Sequence, residues 1–415
     1  MDETICRSDA YILLPGYVTE LNATQFITQA APPETNKYFI DTLISVSQYE
    51  CIGDFSNQFE RHWLGDFSFA CCDDDYESCF PEILASDRIL KTIPCSIYLT
   101  YNKSTRLCVV WIAIPNLSYD LSHIADQISS VYIYISDNRT AEFTYLYAFL
   151  EKRFHIIHLD VPRVIFALDR KPEPPQRMQS ILAGNAYMSE HVDYHVKSLK
   201  INADSINNIA EYDFYEAYVS SNVLLYILKD FSDDYQQNIE NETALLFICE
   251  LIMFQNGAID RVNKKVVAEL SLPRRLKLRS IENLEVEFGK SIVFWNKKIF
   301  KYPLVQNLSN NILNAFGTYE LLETYTRNQK HLEHIVELRA SQSAEKEGKV
   351  LNIIAILLAL IQIIPILIEY FGKLPSESLF PKLFPIHTYV LLITLTALIY
   401  LVNHKRKRSL KKLKK

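Results

Sequence analysis

The tightest constraint on this chain is a pair of apolar runs near its end. Val350 to Ile368, VLNIIAILLALIQIIPILI, covers 19 residues without a charge. As a helix it spans roughly 28 Å, close to the hydrocarbon thickness of a bilayer. Tyr389 to Val402, YVLLITLTALIYLV, is shorter, is extended by Ile386 to Thr388, and runs into HKRKRSLKKLKK. A basic segment directly after an apolar helix marks a membrane interface. The expectation is a large body and a C-terminal two-helix transmembrane hairpin. Its parts are a first span over 350–368, an outer loop over 369–385, a second span over 386–402 and a basic tail over 403–415.

Charge agrees with that division. The chain carries −6 overall, but Lys405 to Lys415 holds eight Lys or Arg and no acid, which leaves residues 1–404 at −14. So acidic a body is a poor candidate for broad nucleic-acid binding, which is driven by phosphate neutralisation. The basic tail suits anionic lipid headgroups. Positive charge stays on the cytoplasmic side, so two spans put both termini there and place the chain in the cell (inner) membrane. MDETICRSDAYILLPG has no basic n-region and no long apolar h-region, so no secretory signal is expected. The eight cysteines include no C-x-x-C, which fits a reduced compartment.

The fold class expected is α+β. Residues 1–170 read as an N-terminal α/β cytoplasmic domain, although 1–90 carries no pattern clear enough to assign elements. Cys95 to Tyr101 and Arg106 to Ile114 read as strands around the turn Asn102-Lys103-Ser104-Thr105. Leu121 to Ser129 reads as a helix, Val131 to Ile135 as a strand, Ala141 to Phe154 as a helix and Val164 to Leu168 as a strand. Lys171-Pro172-Glu173-Pro174-Pro175 breaks the chain and marks a boundary. Residues 171–302 read as a helical region, with helix-like spacing in Gln176–Lys200, Phe214–Phe231, Gln236–Asn256 and Leu276–Phe300. Pro303 suits a first helical turn and opens a stalk over 303–349. No proline interrupts Leu304 to Ile364, so one helix of about 65 residues, roughly 100 Å, is expected to run into the first span. A helix that long needs partner helices, either copies of itself or the Leu276–Phe300 segment.

Where that stalk meets the apolar run, Lys349-Val350-Leu351-Asn352-Ile353-Ile354-Ala355-Ile356 resembles the stretch at which the stalk helix of CorA-family magnesium and cobalt channels enters the bilayer. The order of parts is also similar: α/β domain, stalk, span, short outer loop, span, basic end. The resemblance implies a homo-oligomer, pentameric by family precedent, whose pore is lined by Leu351, Ala355, Ala359, Gln362 and Glu369. Asn352, Gln362 and Glu369 also fall near one helical face by their spacing. Asn352 and Gln362 then either line a water path or hydrogen-bond between helices. The family's outer entrance carries Gly-Met-Asn. The corresponding residues here are Tyr370, Gly372 and Lys373, with no Gly-Met-Asn before Pro385. A ring of lysines would repel divalent cations, so magnesium selectivity is not carried over. Divergent relatives of this scaffold serve as membrane effectors in bacterial defence, some beside CRISPR systems.

Other candidates are weaker. Cys71 to Cys79 and Asp73-Asp74-Asp75 offer thiols and carboxylates, and Asp233-Asp234 could hold a regulatory divalent ion; each also reads as an ordinary solvated turn. Arg274, Arg275, Lys277 and Arg279 either meet a phosphate-bearing ligand or form a solvated helix face. No metal ligand set can be named. No Walker A, Gly-x-Ser-x-Gly or His-Glu-x-x-His occurs, so no enzyme is expected and no cofactor beyond a divalent cation, as permeant or regulatory ion. The partners expected are the bilayer, further copies of the chain and a small signalling ligand. The leading expectation is a cation channel gated by its cytoplasmic domain. A ligand-gated effector that permeabilises the membrane, or a plain membrane-tethered scaffold, stands beside it.

Overall fold

The computed structural model describes residues 6–19, 31–51, 57–71, 91–118, 120–129, 133–136, 143–173, 175–184, 207–271, 283, 284, 286, 289 and 299–372. The chain divides into two units, Met1–Glu333 and His334–Lys415. The first is a mixed α and β fold built, among the described residues, on one sheet of ten strands. These are β1 (Ser8–Val18), β2 (Phe59–Cys71), β3 (Lys91–Asn102), β4 (Leu107–Leu117), β5 (Tyr134–Ser136), β6 (Phe143–Tyr145), β7 (Ile156–His158), β8 (Arg163–Leu168), β9 (Tyr215–Val219) and β10 (Val223–Leu228). Their order is β6-β5-β2-β3-β4-β1-β8-β10-β9, with β7 pairing β1 off this path. The pairs are antiparallel except β8 with β10, which is parallel.

Alternation along the central strands explains the layers around them. Side chains of a strand point to opposite faces in turn. Ile12 and Leu14 of β1, Val110 and Ile112 of β4, and Val164 and Phe166 of β8 share one core. That core takes in Ile124 of α2 (Leu121–Ser129), Phe149 of α3 (Leu146–Phe154) and Ile181 of α4 (Pro175–Ala183). Tyr11, Leu13, Val109, Trp111, Ile165 and Ala167 face the other core. It includes Phe39 of α1 (Glu34–Glu50), Phe247 of α5 (Tyr235–Ser271) and Ile312 of α6 (Pro303–Ala315). With helices on both faces, the central strands read as unbroken apolar runs. Each fully buried large side chain contributes roughly 1.5–3 kcal/mol.

Several expected elements form as read: the β3–β4 hairpin, the helix Leu121–Ser129, and β8. Others need correction. Ala141–Phe154 is not one helix, because Phe143–Tyr145 pairs with β5 before α3 begins at Leu146. Phe214–Phe231 is not a helix but the strands β9 and β10. VLLYIL is buried throughout, and so short an apolar run fits a buried strand as well as a helix. The sheet therefore continues past the proline-rich segment Lys171–Pro175, and residues 171–302 are not wholly helical. Residues 1–90 contribute β1, α1 and β2. Of the expected helix over Gln176–Lys200, α4 ends at Ala183, and 185–206 lies outside the described residues. Most of Leu276–Phe300 lies outside them too.

Pro303 does stand in the first turn of its helix. The long stalk is not unbroken, however. α6 stops at Ala315, and α7 runs from Thr318 to Gly372. Between them Gly317 takes φ +71°. Its N–H donates to the Asn314 carbonyl at 3.2 Å, and its own carbonyl accepts from Leu321 at 3.2 Å. A left-handed glycine is a common way to end a helix, so a search for proline alone overlooks this stop. Replacing Gly317 with Ala should cost about 1–2 kcal/mol and lower the melting temperature of the full-length protein. An unchanged melting temperature would mean that the left-handed joint is not held in the folded protein.

Candidate functional site

α5 is long and apolar enough, from Tyr235 to Ala268, to cross a membrane by length and composition, yet it is mostly buried inside the fold. Polar side chains tie it to the sheet. The Glu250 carboxylate receives Arg61 Nη2 at 2.6 Å, Trp111 Nε1 at 3.1 Å and the Thr100 hydroxyl. Arg61 and Glu250 are 3% and 1% exposed at their side chains. Removing one partner of such a pair strands the other charge in the core.

Two turns nearer its start, α5 brings a second acid to the same face of the sheet. Asp9 accepts from the Asn116 backbone N–H at 2.7 Å and from Asn238 Nδ2 at 3.0 Å. Burial outweighs those bonds and pushes its carboxyl up to about 6. Glu242 is buried with neither carboxylate oxygen fully hydrogen-bonded, and the Tyr11 hydroxyl lies beside it. Burial, then the Asp9 charge, hold Glu242 well above the usual carboxylate range. A protonated carboxyl is the form such a site favours.

The far part of α5 meets the joint between α6 and α7. Arg163, at the start of β8, donates to the Val161 carbonyl at 2.9 Å, to the Phe316 carbonyl at 3.2 Å and to Asp160 at 3.4 Å. Its guanidinium also lies 5.4 Å from the centre of the Phe316 ring. Asn256 of α5 donates to the same Asp160 oxygen at 3.3 Å, and Lys264 donates to the Leu159 carbonyl. Asn263 donates to the Leu321 carbonyl at 3.4 Å and accepts from Asn328 at 2.8 Å. The first turns of α7 are thereby fixed to α5.

The pore residues expected from the sequence all fall on or just beyond α7. Leu351 and Ala355 are exposed on it. Ala359, Gln362, Glu369, Tyr370 and Gly372 belong to the same helix, with side chains outside the described residues. Lys373, the outer loop, the second span and the basic tail lie outside them altogether. So do Cys72 to Cys79, with Asp73-Asp74-Asp75, and the basic set Arg274 to Arg279. Asp233 pairs with Arg7, and the Asp234 carboxylate accepts from the Gln236 N–H at 3.0 Å, capping α5. Among the described residues no group of three or more His, Cys, Asp or Glu is arranged to hold a metal. No protein-family model, curated protein or solved structure matches this chain.

Sequence reading missed Asp9, Arg163, Glu242 and Glu250. The available signal was their charge within apolar segments, Glu242 and Glu250 above all. The raised carboxyls fix the sign of a pH effect. The folded state holds protons that the unfolded chain releases near pH 4, so stability falls as pH rises from about 4 through about 6 for Asp9, and further for Glu242. For Asp9 the loss is on the order of 3 kcal/mol. Thermal unfolding across that range should show the decline, and Glu242→Gln should flatten its upper part. An equally steep decline in the variant would remove Glu242 from the account.

Proposed function

We propose that the chain is a CorA-like, homo-oligomeric membrane ion channel gated by its first unit. One observation carries the reading. Val350, Leu351, Ile353, Ile354 and Ile356 are between 46% and 65% exposed on α7. At about 100° per residue these side chains are spread around the helix rather than gathered on one stripe. A helix apolar on all sides belongs in a protein core or a bilayer. Lipid and neighbouring copies of the chain are the surroundings this segment needs. Val350 to Ile368 would be the pore-forming span, Ile386 to Val402 the second, with both ends cytoplasmic.

Leu351, Ala355, Ala359, Gln362 and Glu369 would face the pore, and Tyr370, Gly372 and Lys373 its outer mouth. A cation is the default permeant ion of the resemblance, without magnesium selectivity. The missing Gly-Met-Asn and the presence of Lys373 favour a second reading: an effector that permeabilises the membrane when a cytoplasmic signal binds.

Reconstitution in liposomes tests both. Ion flux should require the protein, and Gln362→Leu should change conductance severalfold. Absence of flux for every ion, with and without a signalling nucleotide, would leave only a membrane-tethered scaffold. Unchanged conductance in Gln362→Leu would return that residue to a structural role between helices.

A further inference from the structure

The first turns of α5 lie along β1 with two acids between them. The Asn238 bond to Asp9, 3.0 Å long, pins helix to strand at one point. Further along, a Cβ at Gly257 would stand 3.0 Å from Pro15, so the helix follows the strand. From the pin, Tyr11 is the next residue on the same face of β1, about 7 Å on. Glu242 is one turn further along α5, about 6 Å on. The two advances match, which sets Glu242 opposite Tyr11. Asp9 is 0% exposed and Glu242 1%. Both Glu242 oxygens, and the hydroxyls of Tyr11 and Tyr235, are sealed from solvent without a hydrogen-bond partner.

The titratable groups around this pair are phenols and acids. β1 supplies Tyr11, β3 Tyr98, β10 Tyr226 and α5 itself Tyr235; Tyr38 of α1 bonds Glu240. Arg7, just before β1, is paired with Asp233 at the surface. Among the described residues neither Asp9 nor Glu242 stands in an ion pair. Glu250, two turns further on, is different: Arg61 neutralises it, and Trp111 and Thr100 donate to it. The rest of α5 is thus seated whatever the pH, whereas its start depends on two acids without a counter-charge. The remaining ties of the start, Arg7 to Asp233 and Tyr38 to Glu240, are exposed and contribute little.

We propose that the start of α5 is a proton-held latch: protonated Asp9 and Glu242 let it lie on β1, and their ionisation lifts its first turns while the Glu250 pairs keep the remainder in place. Two ionised carboxylates facing each other in an apolar layer repel, and solvation of the lifted turns relieves both. The sign follows from linkage. The closed latch holds protons that the open one releases, so opening becomes easier as pH rises above the ordinary carboxylate range. Burial, partly offset by its two hydrogen bonds, puts Asp9 at about 6. Burial, then the Asp9 charge, carries Glu242 further. The other end of the same helix holds the base of α7 through Asn263 and Leu321.

The latch goes beyond the channel reading and does not depend on it, because it is measured without flux. Full-length protein in detergent is followed by hydrogen–deuterium exchange from pH 5 to 8, with rates corrected for the intrinsic pH dependence of amide exchange. Each proton released on opening lowers protection up to tenfold per pH unit. Protection over Asn238–Leu246 should therefore fall up to a hundredfold per unit below about pH 6, where both acids contribute, and up to tenfold per unit above it. Phe247–Phe254 should stay at least tenfold better protected at every pH. Glu242→Gln should hold the first segment level above pH 6. Asp9→Asn is the second variant and should keep the decline there. Equal protection of the two segments at every pH would mean that only the whole unit unfolds, and would overturn the proposal. So would protection that does not change with pH, or a Glu242→Gln decline as steep as that of the wild type.

Discussion

The position of α5 rests on one carboxylate. Glu250 takes donors from β2, β3 and β4 at once, through Arg61, Thr100 and Trp111. Rotating the helix or sliding it by a turn would leave an arginine, an indole and an acid unpaired in an apolar layer, at a cost of several kcal/mol. Apolar contacts do not enforce such a register, because leucines and isoleucines can exchange partners with small losses. Once Glu250 is fixed, the rest of α5 is placed. Asn238 and Glu242 face Asp9, Asn256 and Lys264 face the β7–β8 turn, and Asn263 reaches the first turn of α7. One helix thereby links the start of the sheet to the joint at Gly317.

The same carboxylate separates two helices that hydropathy alone would confuse. α5 and the Val350–Ile368 part of α7 are both long and apolar. α5 carries Glu242, Glu250 and Asp260, and the first two are buried against the sheet. Ionisable groups at those positions are tolerable where β-strands supply donors, or where burial keeps the proton on. Val350 to Ile368 holds no ionisable group at all. Its described apolar side chains, Val350 to Ile356, remain open in the single chain. Charge content, read with what meets each charge, therefore discriminates a core helix from a membrane candidate better than apolar length.

Part of the sheet was legible in the sequence, at β3, β4, β8 and near β5, and the failures elsewhere have physical causes. The β3–β4 hairpin announced itself because its turn is polar and its strands are rich in aromatic and β-branched residues. β10 did not, because VLLYIL is buried on both faces and shows no alternation. β6 is three residues long and abuts α3, too short for any period to emerge. The break at Gly317 was hidden by a spacing of apolar residues that continues across it. Pairings such as Asp9 with Asn238, or Arg163 with Phe316, join residues more than 150 positions apart, and no local pattern encodes them. The pore candidates were read from a resemblance and a helical spacing, and α7 confirms only that Leu351 to Gly372 share one helix.

That joint bears on how gating would work. Gly317 joins α7 to α6 within the first unit, and just before it the Phe316 carbonyl and ring are both held by Arg163. The guanidinium also holds Asp160, to which Asn256 of α5 donates. The sheet and α5 are thus tied to the base of α7 by a few directional bonds, set beside the left-handed Gly317. If the first unit gates a pore, as proposed, a rigid unbroken stalk would transmit only displacement along or across its axis. Under the proposed gating, a stalk that starts at a glycine joint would also be open to release or locking, with buried Arg163 as the lock.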